Sequence, residues 1–125
     1  PADALRGSYR QTTTFANGNV VSGKALVANT YCLRTGDRCM SLFHGPDGVV
    51  TLMFADDKWT RNEKGIATCA AGGTAIVTIT AEYPMPPQLD DPIALLTGRG
   101  KQTVSAGGDC AGGGDFQDKF ERTGD

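Results

Sequence analysis

Residues 31–59 read Y-C-L-R-T-G-D-R-C-M-S-L-F-H-G-P-D-G-V-V-T-L-M-F-A-D-D-K-W. Two cysteines flank a polar turn, an apolar run follows, Gly45-Pro46-Asp47-Gly48 reverses the chain, and a second apolar run leads through Asp56-Asp57 to the single tryptophan, Trp59. Proline presets φ for such a turn and Asp-Gly accommodates the reversal. This spacing predicts two hairpins in series, the first closed by a Cys32–Cys39 disulfide. Met40 to His44 is one strand. Val49 to Ala55, the most apolar run, is expected to be a central strand covered on both faces. Lys58 to Asn62 carries Trp59 on the next.

Working outward, residues 5–16 alternate with period two, Leu5, Tyr9 and Phe15 on one face and Arg6, Ser8, Arg10, Thr12 and Thr14 on the other, which marks a half-buried strand. Asn17-Gly18-Asn19 follows as a hairpin-type turn, and residues 24–33 form a second strand. Residues 63–73, with Gly65, Gly72 and Gly73, read as a loop holding Cys69. The cleanest pattern is Thr74 to Tyr83. There Ala75, Val77, Ile79, Ala81 and Tyr83 point one way, Thr78, Thr80 and Glu82 the other, and Ile76 breaks the rule. Pro84 to Pro92 is an irregular connection, and Tyr83-Pro84-Met85-Pro86-Pro87 has a semi-rigid character that suits a connection or a docking segment. Asp91, Pro92 and Gly98 carry the punctuation of a short helix over I-A-L-L-T. Strands are expected from Lys101 to Ala106 and Phe116 to Thr123, separated by a glycine-rich loop that bears Cys110. The expected fold class is all-β: a mostly antiparallel sandwich or closed barrel of seven to nine short strands, with at most one short helix and two disulfides.

The 125 residues suffice for one domain, 1–125, with one core. Glycine, 17 residues, is at about twice its usual share of ~7%, which favours short strands and tight turns over helices. The net charge is −2, and the 12 basic residues are scattered without a run, so no footprint for nucleic acid is present. No apolar stretch approaches the roughly 20 residues of a membrane helix. The chain opens P-A-D-A without a leader-like segment, as expected of a mature or excised domain.

Four cysteines, Cys32, Cys39, Cys69 and Cys110, allow three connectivities. Cys32–Cys39 with Cys69–Cys110 is the favoured pairing, and by loop entropy the two bonds contribute roughly 2.5 and 4 kcal/mol. Zinc is disfavoured because no C-x-x-C occurs and His44 is the only histidine. Two disulfides imply an oxidising, extracytoplasmic compartment.

The blocks G-S-Y near the start, C-L-R-T-G-D-R-C-M-S, G-V-V-T-L-M-F-A-D-D-K-W-T, L-L-T-G and G-G-G-D-F-Q-D-K-F-E-R-T-G resemble the extracytoplasmic C-terminal domains of mycobacterial transmembrane serine/threonine protein kinases and related exported proteins. The resemblance covers most of the chain. It implies a sensor-like module, tethered by a membrane helix in the parent protein, that regulates a cytoplasmic kinase by binding an unidentified ligand or partner, with homodimerisation as an output. None of the kinase motifs H-R-D, D-F-G or V-A-I-K is in this chain, so the domain itself is expected to be non-catalytic. A stand-alone secreted or lipid-anchored binding protein is the alternative, and a small hydrolase ranks last.

Candidate chemistry is sparse, and no catalytic, metal, cofactor or ligand residue is assigned. His44 lacks a G-x-S-x-G serine partner and suits a structural histidine at a strand end. Gly98 to Thr103 misses the phosphate-loop spacing and suits a basic turn. Asp109, Asp115 and Asp118 surround a glycine-rich loop but lack the calcium-loop pattern. The pairs Asp56-Asp57 and Asp90-Asp91 are explained by a turn and by helix capping. Trp59, Tyr9, Tyr31, Phe43 and Phe54 would line a pocket in a hollow barrel, but in a chain this small they are expected to fill the core.

Overall fold

Among the described residues, eight strands follow one another with no helix between them: β1 (Gly7–Phe15), β2 (Val20–Cys32), β3 (Cys39–Gly45), β4 (Gly48–Ala55), β5 (Lys58–Thr68), β6 (Thr74–Pro84), β7 (Leu95–Val104) and β8 (Gly114–Gly124). They come from a computed structural model that describes residues 4–69, 72–88, 90–105 and 112–125. Each strand pairs antiparallel with its sequence neighbour, and β1 pairs with β8, so the sheet closes into an up-and-down barrel. Closure removes the exposed sheet edges that an open meander would carry.

The turns explain the order. Asp56 and Asp57 both sit in the left-handed region, with φ of 54° and 61°, the geometry of a two-residue hairpin turn whose twist matches the flanking strands. Aspartate tolerates that region better than most residues. Gly18 has φ of 92°, and the Asn17 side chain accepts a hydrogen bond from the Asn19 N–H. Cys32 and Cys39 face each other across the β2–β3 ladder and are bonded.

Period-two alternation carries the core. Tyr9, Phe43, Leu52, Trp59, Tyr83, Leu96 and Phe120 are fully buried. Phe43 stacks on Phe120 with centroids 4.5 Å apart, Tyr9 meets Phe43 edge-on at 5.5 Å, and Phe54 packs on Trp59 at 4.7 Å. One end of the barrel is sealed. Ala4, Leu5 and Ile93 are buried there, Ile93 N–H donates to the Ala4 carbonyl, and the Tyr9 hydroxyl donates to the Ile93 carbonyl at 2.6 Å.

Several expectations are corrected. The helix over residues 93–97 does not form. Leu95 opens β7 opposite Glu121, and Leu96 turns inward, because the barrel offers a ladder to fill on both sides and local capping signals are weak against that. Gly98 to Thr103 is likewise strand, not a basic turn. Residues 63–68 are not loop but the far half of β5, paired with β6 as far as Thr68–Thr74. In β4, Val49 and Met53 are exposed, so that strand has one covered face, as a barrel wall must. Tyr31 also faces outward, while Trp59, Tyr9, Phe43 and Phe54 fill the core as expected. Asp91 pairs with Arg6 at 2.7 Å instead of capping a helix. Met85 packs against the core and its N–H donates to the Asp57 carbonyl, so the Pro-rich segment begins as a fastened connection. Of the second expected disulfide, Cys69 is buried, and Cys110 lies outside the described residues.

Candidate functional site

The barrel interior changes character halfway along. Beyond the aromatic layer, toward the end opposite the Ala4–Leu5–Ile93 seal, the inward positions include Gln11 and Thr13 of β1, Arg61 and Glu63 of β5, and Asp118 of β8, set among apolar Phe15, Ile79, Ala81 and Phe116. Alternation puts them there: Arg61 lies two residues after buried Trp59, and Asp118 lies between buried Phe116 and Phe120.

Asp118 has no exposed side-chain surface. Its carboxylate accepts hydrogen bonds from the Gln11 amide at 3.2 and 3.0 Å, the Thr13 hydroxyl at 2.9 Å and the Tyr83 hydroxyl at 2.5 Å. The Arg61 guanidinium stands 3.7 Å from Asp118 and 2.8 Å from Glu63. A buried carboxylate survives only when paired and hydrogen-bonded, and this one has both kinds of partner. Among the described residues, three buried side-chain atoms are left without a partner, Arg61 Nε, Glu63 Oε1 and Trp59 Nε1. Burial works to lower the Arg61 pKa, but the Glu63 bond and the surrounding negative charge outweigh it and raise it.

Burial, the Asp118 charge and the hydrogen bond to Asp118 together push the Tyr83 hydroxyl far above its ordinary range, and burial also raises Tyr9. Both stay protonated in the fold when they would ionise in the unfolded chain. That stability is fully present below the ordinary tyrosine pKa of about 10 and is lost as pH rises above it. Urea titrations at successive pH values above 10 are expected to show stability falling by up to about 1.4 kcal/mol per unit for each tyrosine. Tyr83→Phe should flatten that slope by one tyrosine's share. An unchanged slope would rule out the assignment.

The polar layer opens to the surface through a gap in the wall. β4 and β5 pair only from Met53–Thr60 to Ala55–Lys58, yet β5 runs on to Thr68 beside β6. The β3–β4 hairpin stops at Gly45–Gly48, well short of the ends of β2 and β5. The rim is therefore notched above this hairpin. Gly45 belongs to the notch by necessity, since a Cβ there would lie 2.3 Å from Leu26 Cδ2. A cavity of about 260 Å³ fills the notch, with Gln11, Leu26, Asp47, Val50, Arg61 and Glu63 among its lining. A larger depression of about 830 Å³ crosses the outer wall over Thr60, Asn62, Glu82, Arg99, Lys101 and Gln117. Those side chains are outward-facing and mostly solvated, and Arg61, whose Nε is unpaired, lines this depression as well as the notch.

The chain matches no known protein-family model, no curated protein and no solved structure.

His44 sits on the outer wall between Val27 and Val49, exposed. Asp115 is exposed on β8, Asp109 lies outside the described residues, and Asp118 is committed to its four hydrogen bonds. Among the described residues no cluster of three or more metal-ligating side chains occurs. Asp56 and Asp57 serve the turn. Sequence reasoning missed Arg61, Glu63 and Asp118 as a unit. The usable signal was parity: Asp118 shares a face with Phe116 and Phe120, and Arg61 shares one with Trp59.

Proposed function

We propose that this barrel is the sensing domain of a transmembrane serine/threonine protein kinase, binding a small ligand in the rim notch outside the cytoplasm and taking no part in catalysis itself. The observation that carries ligand binding is the charged interior. Arg61, Glu63 and Asp118 occupy inward positions where an apolar side chain would stabilise a barrel of this size at least as well, and two of them line a cavity open to solvent. Ligand sites combine a concave apolar wall with a few convergent polar groups, and Leu26 and Val50 supply the wall. The Cys32–Cys39 disulfide belongs to an oxidising compartment. No described helix is long and apolar enough to cross a membrane. The kinase assignment rests on the sequence blocks quoted above.

Two measurements test the reading. The parent reading frame is expected to encode a kinase domain and then an apolar segment of about 20 residues before Pro1. A secretory signal directly upstream would instead make this a stand-alone binding protein. A screen of small molecules by amide NMR is expected to give hits that shift Gly48, Val50, Arg61 and Glu63. Hits confined to the outer wall would remove the notch from the proposal.

A further inference from the structure

The notch has a definite chemical preference. Among the described residues, the charges that face it are Arg61, Glu63 and, on the β3–β4 turn, Asp47, with Asp118 beneath. Three carboxylates thus stand against one guanidinium around the notch, and that guanidinium already pairs with Glu63 at 2.8 Å and stands 3.7 Å from Asp118, while Asp47 lines the cavity from the turn. The surplus is negative, and a partly desolvated negative site attracts cations and repels anions.

The hydrogen-bonding atoms sharpen this. Arg61 uses Nη2 on Glu63 and directs Nη1 to Asp118, which leaves Nε as an unpaired donor. Glu63 uses Oε2 on Arg61, which leaves Oε1 as an unpaired acceptor. A donor and an acceptor thus stand unpaired on two residues already held together by an ion pair. Leaving such atoms unsatisfied costs about 1–3 kcal/mol each, so a ligand that meets both gains from both. Both atoms are closed to solvent in this structure, so a ligand meets them only by turning the Arg61 and Glu63 side chains, 11% and 29% exposed, toward the cavity.

We propose that the notch binds a small organic amine that carries an oxygen acceptor on a neighbouring carbon. The ammonium donates to Glu63 and is drawn by Asp47. The oxygen accepts from Arg61 Nε, and the carbon skeleton rests on Leu26 and Val50. The 260 Å³ of the cavity suits a compound with a single six-membered ring. This inference rests on ligand binding at the notch and adds the ligand's class.

The test uses four probes that share one ring: trans-2-aminocyclohexanol, cyclohexylamine, cyclohexanol and cyclohexanecarboxylate, each titrated into the ¹⁵N-labelled domain. Aminocyclohexanol should shift Gly48, Val50, Arg61 and Glu63 saturably. Cyclohexylamine should bind more weakly by about one hydrogen bond, a factor of up to tenfold. Cyclohexanol and the carboxylate should leave those amides unmoved. Glu63→Gln should weaken aminocyclohexanol about tenfold or more. Asp47→Asn, an exposed turn position, should weaken it severalfold without disturbing the fold. Preferential binding of the carboxylate or of cyclohexanol would overturn the amine class and leave ligand binding at the notch intact. Equal aminocyclohexanol affinity for wild type and both variants would also overturn it. If no probe moves the notch amides, the amine class falls. If the broad screen is then silent too, the ligand-binding reading falls with it.

Discussion

Replacing Asp118 by alanine is expected to cost about 3–5 kcal/mol of stability, the range for removing one member of a buried charge network. Three donors lose their acceptor at once, the Tyr83 hydroxyl, the Thr13 hydroxyl and the Gln11 amide, and each becomes a buried polar group with its desolvation uncompensated. Arg61 keeps only Glu63. A double-mutant cycle separates the network from mere packing. Tyr83→Phe alone removes one hydrogen bond to a charged group, about 1.5–3 kcal/mol. In the Tyr83→Phe background Asp118→Ala should cost less than in wild type, because one of the stranded donors is gone. Additive costs would mean the two side chains are energetically independent despite their 2.5 Å contact. A total loss below about 1 kcal/mol would mean that water replaces the carboxylate, and that the polar layer is an extension of solvent instead of a fixed floor for the notch. The same experiment therefore bears on the proposed site, since Asp118 stands 3.7 Å from the Arg61 guanidinium that lines the notch.

What the sequence disclosed and what it hid follow from the same physics. β6 was legible because its inward residues are apolar and its outward ones polar, so period two is visible without knowing the partner strands. The Cys32–Cys39 hairpin and the Asp56-Asp57 turn were legible because their chemistry is local. The far half of β5 was not. Glu63, Lys64 and Gly65 have low strand propensity, and their strand state comes from the ladder to β6, which lies outside any sequence window. Residues 93–97 were flanked by real capping residues, Asp91, Pro92 and Gly98, but a capping side chain contributes only about 1 kcal/mol, and the closed sheet places Leu96 in the core and pairs Leu95 with Glu121. The candidate site was hidden for a related reason. A charged residue at an inward position looks like a break in the pattern, and Asp118 adjoined a glycine-rich run that reads as loop. Only the closed sheet, which sets Thr13 opposite Asp118 on β8 and brings Arg61 of β5 within 3.7 Å of it across the interior, turns three isolated charges into one network.

Gly98→Val is expected to be the other severe substitution, with a loss of about 3 kcal/mol, the upper part of the range for overpacking a close-packed interior. Gly98 lies on the inward face of β7. A Cβ there would fall 2.3 Å from the Glu82 carbonyl oxygen and 2.4 Å from Tyr83 Cδ2. The first contact is with backbone and cannot be relieved by a rotamer. The second moves the ring whose hydroxyl holds Asp118. Gly100 serves Phe116 in the same way, at 2.5 Å from Phe116 Cζ, so β7 offers two bare positions over which two aromatic rings lie, a recurrent device in sheets. Gly65 on β5 is the control. A Cβ there meets nothing within 4 Å, so Gly65→Ala should leave stability unchanged or raise it by about 0.4–1 kcal/mol through the unfolded chain. Urea unfolding of the two variants gives the comparison. Alkaline titration of Tyr83 gives a second readout, because a displaced ring loosens its bond to Asp118 and its hydroxyl should ionise closer to the ordinary tyrosine pKa of about 10. If Gly98→Val stayed within 1 kcal/mol of wild type with the Tyr83 titration unmoved, the close approach of β6 and β7 would be wrong. The Tyr83–Asp118 floor of the notch would then need another support.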